Sequence, residues 1–173
     1  MNIDGSVDST VEINSSTTNG PTLTDEDNFG YSVVNIGDLN GDGVNDIAVG
    51  ARYDDNEGGS NRGAIHIMFM NIDGSVDSTV EINSSTDNGP TLTNSDYFGF
   101  SVANIGDLNG DGVNDIAVGA VNDDIDENGN ASGGTNRGAI HIMFMNINGT
   151  VASTVEINDS TTNGPVLTNS DYF

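Results

Sequence analysis

Hydrophobic residues in this chain are gathered into short segments in which apolar positions alternate with small or polar ones, and no segment shows helical periodicity. The segment Gly63–Met70 reads Gly-Ala-Ile-His-Ile-Met-Phe-Met, and its successive side chains would point to opposite faces of an extended chain. Such alternation, bounded by Asn, Asp, Ser and Gly, predicts β-strands. The predicted strands are Phe29–Ile36, Asp46–Ala51, Gly63–Met70 and Ser78–Asn83 in a first unit, and Phe98–Ile105, Asp115–Ala120, Gly138–Met145 and Ser153–Asn158 in a second.

Internal repetition organises the chain. Asp38–Ala51 recurs letter for letter at Asp107–Ala120, 69 residues further on. Gly63–Met70 recurs at Gly138–Met145 after 75 residues, so six extra residues lie in the acidic loop Val121–Arg137. Length variation confined to one loop is typical of stacked units that share a common core.

The two ends of the chain share sequence, since residues 1–29 correspond to 145–173. We therefore expect a partial repeat at 1–29, a first complete repeat at 30–98 and a second at 99–173. The partial repeat would supply a spare outer strand at Ser9–Asn14 and the return loop that follows it.

One nine-residue run, Asp-Leu-Asn-Gly-Asp-Gly-Val-Asn-Asp, occurs in both units and predicts a calcium loop. Oxygen-bearing side chains fall at its positions 1, 3, 5 and 9, and a glycine at position 6 allows the chain to turn back. Ca²⁺ takes six to eight oxygen ligands, which alternate residues of a tight loop can supply. An Asn/Asp/Gly-rich turn without an ion is the alternative. The predicted ligands are Asp38, Asn40, Asp42, the Val44 carbonyl and Asp46, and in the second loop Asp107, Asn109, Asp111, the Val113 carbonyl and Asp115.

The charge balance excludes several functions. The chain has 27 acidic and 3 basic residues, a formal charge of −24, and no lysine or cysteine. Nucleic-acid binding needs clustered Lys and Arg, so we do not expect it. No apolar run approaches the roughly 18 residues that span a bilayer, so we expect no membrane insertion. No constellation of nucleophile, acid and base supports catalysis, and we expect a protein that is not an enzyme.

The segments around the loop carry a family resemblance. Phe29–Val33 followed by Ile47–Ala51, and Phe98–Val102 followed by Ile116–Ala120, resemble the FG-GAP repeat of integrin-α-like β-propellers. The resemblance implies an all-β fold of four-stranded antiparallel blades, with Ca²⁺ between the first two strands of each blade and a role in extracellular or cell-surface adhesion. Two blades cannot close a ring, because propellers have about four to eight. The array would be open, or completed by neighbouring chains or a longer parent chain.

Two functions follow from these observations. The first is a calcium-binding structural protein of an extracellular fibre or cell-surface assembly, which associates with itself through near-identical units. The second is a fragment of a closed propeller adhesin that recognises a protein or glycan. The glycosylation pattern Asn-x-Ser/Thr occurs at Asn14, Asn83, Asn130, Asn148 and Asn158. The pattern alone does not determine whether these residues carry glycans.

The remaining candidates receive structural interpretations. His66 and His141 occupy matching mid-strand positions, and we interpret them as packed strand residues, because a metal site needs convergent partners that the local sequence does not supply. Arg62 and Arg137 are expected to form surface ion pairs.

The acidic loops are expected to be solvated, with weak cation binding as the alternative. They are Asp54–Glu57 and Asp123–Asn128.

Overall fold

The computed structural model of the chain describes residues 3–55, 59–124 and 135–173. Within those ranges there is no helix, and the strands form two four-stranded antiparallel sheets of order β1-β2-β3-β4 and β5-β6-β7-β8. The predicted all-β class and four-stranded blades are confirmed. The strands are β1 (Phe29–Gly37), β2 (Asp46–Ala51), β3 (Ala64–Met70), β4 (Val76–Ile82), β5 (Phe98–Gly106), β6 (Asp115–Ala120), β7 (Ala139–Met145) and β8 (Val151–Ile157).

The alternation in the strands produces two apolar faces on each sheet. In the β2–β3 pair of the first sheet, Ile47 lies opposite Met68 on one face, whereas Ala48 lies opposite Ile67 on the other. The second sheet repeats this register with Ile116 opposite Met143. A sheet that is apolar on both faces must be covered on both, so each blade requires a neighbour on either side.

The two sheets cover each other face to face. Ile65 and Ile67 of the first sheet are fully buried and share one hydrophobic core with Val118 and Met143 of the second. The corresponding face of the second sheet is left partly exposed, because Ile142, the counterpart of Ile67, lies at intermediate burial. The partly exposed face of the second sheet, which carries Ile142, therefore has nearly the same residues as the face of the first sheet that carries Ile67.

Backbone contacts fix the spacing between the sheets. Gly63 forms a parallel bridge with Phe98, and the Phe98 N–H donates to the Arg62 carbonyl at 2.9 Å. At the end of the chain, the Phe173 N–H donates to the Arg137 carbonyl at 2.9 Å. The segment that ends at Phe98 thus lies against the first sheet. The segment that ends at Phe173 lies against the second sheet in the same way.

The first sheet meets the N-terminal segment on its outer face. Ile13 packs against a small cluster that contains Val49 and Met68. Residues 9–14, where we expected a spare outer strand, form no strand. An outer strand is held by hydrogen bonds to a third strand, as β4 is held by β3. The described residues provide no third strand beside this segment.

No helix long and apolar enough to cross a membrane occurs in the described ranges.

The close approach of the sheets at Gly50 gives a first prediction. A Cβ at Gly50 would lie 2.1 Å from the Gly99 carbonyl oxygen, a backbone atom that cannot rotate away. We expect Gly50→Ala to lower the free energy of unfolding by about 1–3 kcal/mol, as overpacking of a core does. Urea denaturation of dilute chain would measure the loss.

Gly119→Ala is the matched control, because Gly119 is the counterpart of Gly50 on the open face. The three atoms nearest to a Cβ there all belong to Ser101, and the nearest is a hydroxyl oxygen at 2.5 Å that can rotate away. Equal losses in the two variants would contradict the stacking of the sheets at Gly50.

Candidate functional site

The predicted calcium loops lie between the first two strands of each sheet and are closed by an aspartate. Asp38 Oδ1 accepts hydrogen bonds from the N–H groups of Gly41 at 2.8 Å and Asp42 at 2.9 Å, and its Oδ2 accepts from Gly43 at 2.8 Å. Gly43 has a φ of 91°, a conformation that favours glycine. Asp107 closes the second loop in the same way.

Asn40 and Asp42 complete the exposed rim of the first loop. The Asn40 side chain accepts a hydrogen bond from the Asp42 N–H at 3.0 Å and donates one to Asp42 Oδ2 at 2.9 Å. Asp42 Oδ1 accepts from the Val44 N–H at 2.8 Å. Asn109, Asp111 and Val113 repeat these contacts in the second loop. The structure thus brings together the side chains at positions 1, 3 and 5 in both copies.

Asp46 lies beneath the loop and joins it to the sheet. It is fully buried, and its carboxylate accepts hydrogen bonds from the Leu39 N–H at 2.9 Å and the Met70 N–H at 3.0 Å. Burial raises the pKa of Asp46, and the negative charge of Asp42 acts in the same direction. Asp115 makes the equivalent contacts in the second sheet. This aspartate therefore supports the structure whether or not an ion is bound.

The donor set of each loop consists of oxygen atoms, which suits a hard cation. Backbone N–H groups orient the carboxylate of Asp38, as outer-shell partners commonly orient metal ligands. In the described part of the chain, the loop carboxylates do not by themselves bring three ligand atoms within 4.8 Å of one another. An ion in the first loop would therefore also need the amide oxygen of Asn40 and the carbonyl of Val44.

A second polar group, which the sequence analysis did not anticipate, lies on one face of each sheet. In each group one histidine nitrogen and one oxygen from each of two acids lie within 4.8 Å of one another. We call these groups the first and second buried clusters. Their members are Asp54, His66 and Glu81 in the first, and Asp123, His141 and Glu156 in the second.

Three neighbouring parts of the sheet build the first buried cluster. His66 of β3 lies directly opposite Glu81 of β4 in the strand register. Asp54 follows the end of β2, where its N–H donates to the Ala51 carbonyl at 3.1 Å. The ring of Phe29 meets that of His66 edge-on at 5.5 Å. The second buried cluster has the same construction.

The interpretation of the histidines as packed residues is correct in that both are fully buried, but it overlooked their carboxylate neighbours. The expectation that the acidic loops are solvated is wrong at their first residues, because Asp54 and Asp123 are each 2% exposed. The later parts of these loops, residues 56–57 and 125–128, lie outside the described residues. A turn in the chain after β2 and β6 directs the two carboxylates inward.

Negative charge accumulates around these clusters. Burial lowers the pKa of His66, and the charges of Glu81 and Asp27 oppose that effect. Near the second cluster, burial raises the pKa of Asp96 to about 7, and the charge of Asp123 contributes further. Carboxylates placed this close in a buried region repel one another unless protons or cations are present.

The arginines contact other parts of the molecule. Arg137 forms an ion pair with Asp159 as predicted, but the pair is partly buried and does not lie on the open surface. Arg62 instead donates hydrogen bonds to Asn94 at 3.2 Å and Ser84 at 3.3 Å. The guanidinium of Arg52 lies 3.8 Å from the centre of the Tyr31 ring.

The glycosylation patterns differ in accessibility. Asn158 is buried, and its side-chain amide donates a hydrogen bond to Glu156. Asn148 is exposed. Asn130 lies outside the described residues.

The buried position of Asp46 gives a second prediction. Asp46→Ala would leave the N–H groups of Leu39 and Met70 without their partner, at about 1–3 kcal/mol each. We expect this variant to lose roughly 3 kcal/mol of unfolding free energy in calcium-free buffer. Asp42→Ala, on the exposed rim, should lose less under the same conditions. Similar losses from the two variants in urea denaturation would contradict this division.

Comparison with known proteins agrees with this architecture. Residues 29–68 match the FG-GAP repeat family. The chain is 39% identical to integrin alpha pat-2 of Caenorhabditis elegans over 94 residues, which are 53% of this chain and 7% of that protein. It is 35% identical to human integrin alpha-6 over 102 residues, 59% of this chain and 8% of that protein. It is 40% identical to human integrin alpha-11 over 93 residues, 54% of this chain and 7% of that protein.

The chain thus spans less than a tenth of the length of these relatives. Their similarity covers little more than half of this chain, and the family match begins at the first residue of β1 and ends within β3. Residues 29–68 therefore match an FG-GAP repeat, and about half of the chain is similar to integrin α subunits.

Proposed function

We propose that this chain is a non-enzymatic, calcium-binding blade module of an extracellular fibre or cell-surface assembly, and that it associates with further blades through its two open faces. The repeats at 30–98 and 99–173 would be the structural units of that assembly. One observation supports the proposal most directly. The open face of the second sheet has nearly the same residues as the face by which the first sheet packs against the second.

The two open faces have complementary roles in the structure. Within the chain, the face that carries Ile65 and Ile67 is covered by the face that carries Ile116 and Val118. The same face of the second sheet carries Ile140 and Ile142, which correspond to Ile65 and Ile67. Both are partly exposed. The counterpart of the covering face carries Ile47, which is half-buried, and Val49, which is buried in a cluster that includes Ile13 of the N-terminal segment. A second copy placed head to tail would repeat the internal contact if residues 1–29 of one copy gave way to residues 145–173 of the other, to which they correspond in sequence.

Head-to-tail contacts of this kind are heterologous, and they generate a ring if the rotation closes and a filament if it does not. The repeats are nearly identical, so every added interface would be equivalent, which favours a regular array.

A closed propeller that recognises a protein or glycan is the second candidate. It is supported by the similarity to integrin α subunits. Such a ring would need about four to eight blades, and the described part of this chain supplies two. The missing blades would come from other copies or from a longer chain.

Calcium would stabilise the hairpin that begins each blade. The side chains at positions 1, 3 and 5 of both loops are exposed to solvent, so an ion can reach them. The chain carries a formal charge of −24, and each bound Ca²⁺ would reduce the repulsion within one loop. The ion would thus act on folding and assembly rather than on chemistry.

Calcium removal gives a third prediction. At a calcium concentration 100-fold above Kd, each site contributes about 2.7 kcal/mol to the free energy of unfolding. We expect chelation with EGTA to lower the melting temperature of the chain, measured by circular dichroism. The paired variant Asp42→Ala with Asp111→Ala should melt early and should no longer respond to EGTA.

A charge-matched control distinguishes a lost ligand from a lost charge. Asp77→Ala with Asp87→Ala also removes two exposed carboxylates, but both lie outside the calcium loops. This control should keep the full response to EGTA. A wild-type chain whose melting temperature is the same with and without EGTA would rule out the calcium mechanism.

Assembly gives a fourth prediction. Ile142→Glu places a charge on the open face of the second sheet, so we expect it to reduce self-association at least tenfold while the isolated chain remains folded. Gly119→Ala should also weaken association, because its added Cβ lies where Gly50 meets the next sheet. Sedimentation velocity would measure association, and electron microscopy would separate filaments from rings. A wild-type chain that stays monomeric at high concentration would contradict self-association.

A further inference from the structure

We propose that each sheet also binds a divalent first-row transition-metal ion, at the buried cluster of one histidine and two carboxylates. The ligands are His66 with Asp54 and Glu81 in the first sheet, and His141 with Asp123 and Glu156 in the second. These sites are separate from the calcium loops, and the proposal does not depend on them.

Unpartnered histidine nitrogens are the first observation in favour. His66 is fully buried, and within residues 3–55, 59–124 and 135–173 neither of its ring nitrogens has a hydrogen-bond partner. Its Nε2 lies 3.9 Å from Asp54 Oδ2, a distance too long for a hydrogen bond. In the second cluster His141 Nε2 lies 3.1 Å from Asp123 Oδ2, and Nδ1 is without a partner. A buried polar atom without a partner is destabilising, and a metal ion would give one of the two His66 nitrogens a partner.

Charge balance is the second observation. A neutral imidazole with two carboxylates carries a charge of −2, which one divalent ion neutralises. The chain has no lysine and only three arginines. Arg52 stacks on Tyr31, Arg62 donates to Asn94, and Arg137 pairs with Asp159.

The geometry leaves little movement to complete a site. Ligands bound to Zn²⁺ at about 2.0–2.2 Å lie at most about 4.4 Å apart. The ligand atoms of each cluster are already within 4.8 Å of one another. A small rotation of one carboxylate would bring all three to the ion.

Outer contacts and access also suit a metal site. The Asn83 side chain donates a hydrogen bond to Glu81 Oε1 at 2.6 Å, and Asn158 makes the same contact with Glu156. Such contacts hold a carboxylate in position for a metal. A surface cleft of about 320 Å³ reaches His141 and Glu156 from solvent and offers an entry path.

The donor set indicates the class of ion. The calcium loops offer oxygen atoms alone, whereas each buried cluster adds an imidazole nitrogen. Imidazole suits zinc, iron, nickel and copper, and carboxylates are also common zinc ligands. Excess calcium should therefore fill the loops and leave the clusters available to Zn²⁺.

Zinc titration of the whole 173-residue chain in excess calcium tests the proposal. Isothermal titration calorimetry should show two zinc ions per chain. Glu81→Gln with Glu156→Gln keeps the side-chain shape and the Asn contact but removes the charge, so we expect at least a tenfold loss of zinc affinity, the smallest effect expected even for a group that only orients a ligand.

The chain contains its own control for this substitution. Glu12 is the sequence counterpart of Glu81 and Glu156, and it also accepts a hydrogen bond from the asparagine two residues on, but it is exposed and belongs to neither cluster. Glu12→Gln should leave zinc binding unchanged. The calcium-loop variant Asp42→Ala with Asp111→Ala should also keep both zinc ions.

X-ray absorption of the zinc-loaded wild-type chain decides the outcome even where the cluster variants fail to fold. One imidazole nitrogen at about 2.0–2.1 Å from zinc supports the proposal. Absence of zinc binding would overturn it, since the clusters would then be histidine–carboxylate pairs that hold protons. Zinc bound by oxygen ligands alone would overturn it as well.

Discussion

The stacking of one apolar sheet face on another is the constraint on which the rest of this structure depends. A four-stranded sheet with hydrophobic residues on both faces is not stable alone in water, so each sheet needs a cover on either side. Gly50 and Gly63 allow the backbones to approach closely enough for Ile65 and Ile67 to become fully buried. The partly exposed Ile142 marks the point at which this cover ends.

Electrostatic repulsion sets the second constraint, because the chain has 27 acidic residues and only 3 basic ones. The structure places these acids in two different ways. In the calcium loops, backbone N–H groups surround carboxylates that remain exposed, as at Asp38. In the buried clusters, carboxylates such as Asp54 are withdrawn from water beside a histidine. In either arrangement a bound cation would reduce repulsion between the carboxylates, and both arrangements recur in the two sheets.

The sites therefore differ in what an ion would do for the fold. A cation in an exposed loop would order a hairpin end, and it can exchange readily with solvent. A cation in a buried cluster would join β3, β4 and the turn after β2, where His66, Glu81 and Asp54 meet. Because the same residues recur in the second sheet, any such stabilisation would apply to every blade of a longer array.

The sequence by itself determined the strands, the repeat and the loop residues, because these depend on local alternation and on residues close together along the chain. Thus β2 runs from Asp46 to Ala51 as predicted, and Asp38, Asn40 and Asp42 meet within one turn. Only the tertiary structure decided that residues 9–14 form no strand, since an outer strand depends on a partner strand beside it. It also decided that His66 meets Asp54 and Glu81. Those three residues lie on different segments, and antiparallel pairing, which no local pattern encodes, brings them together.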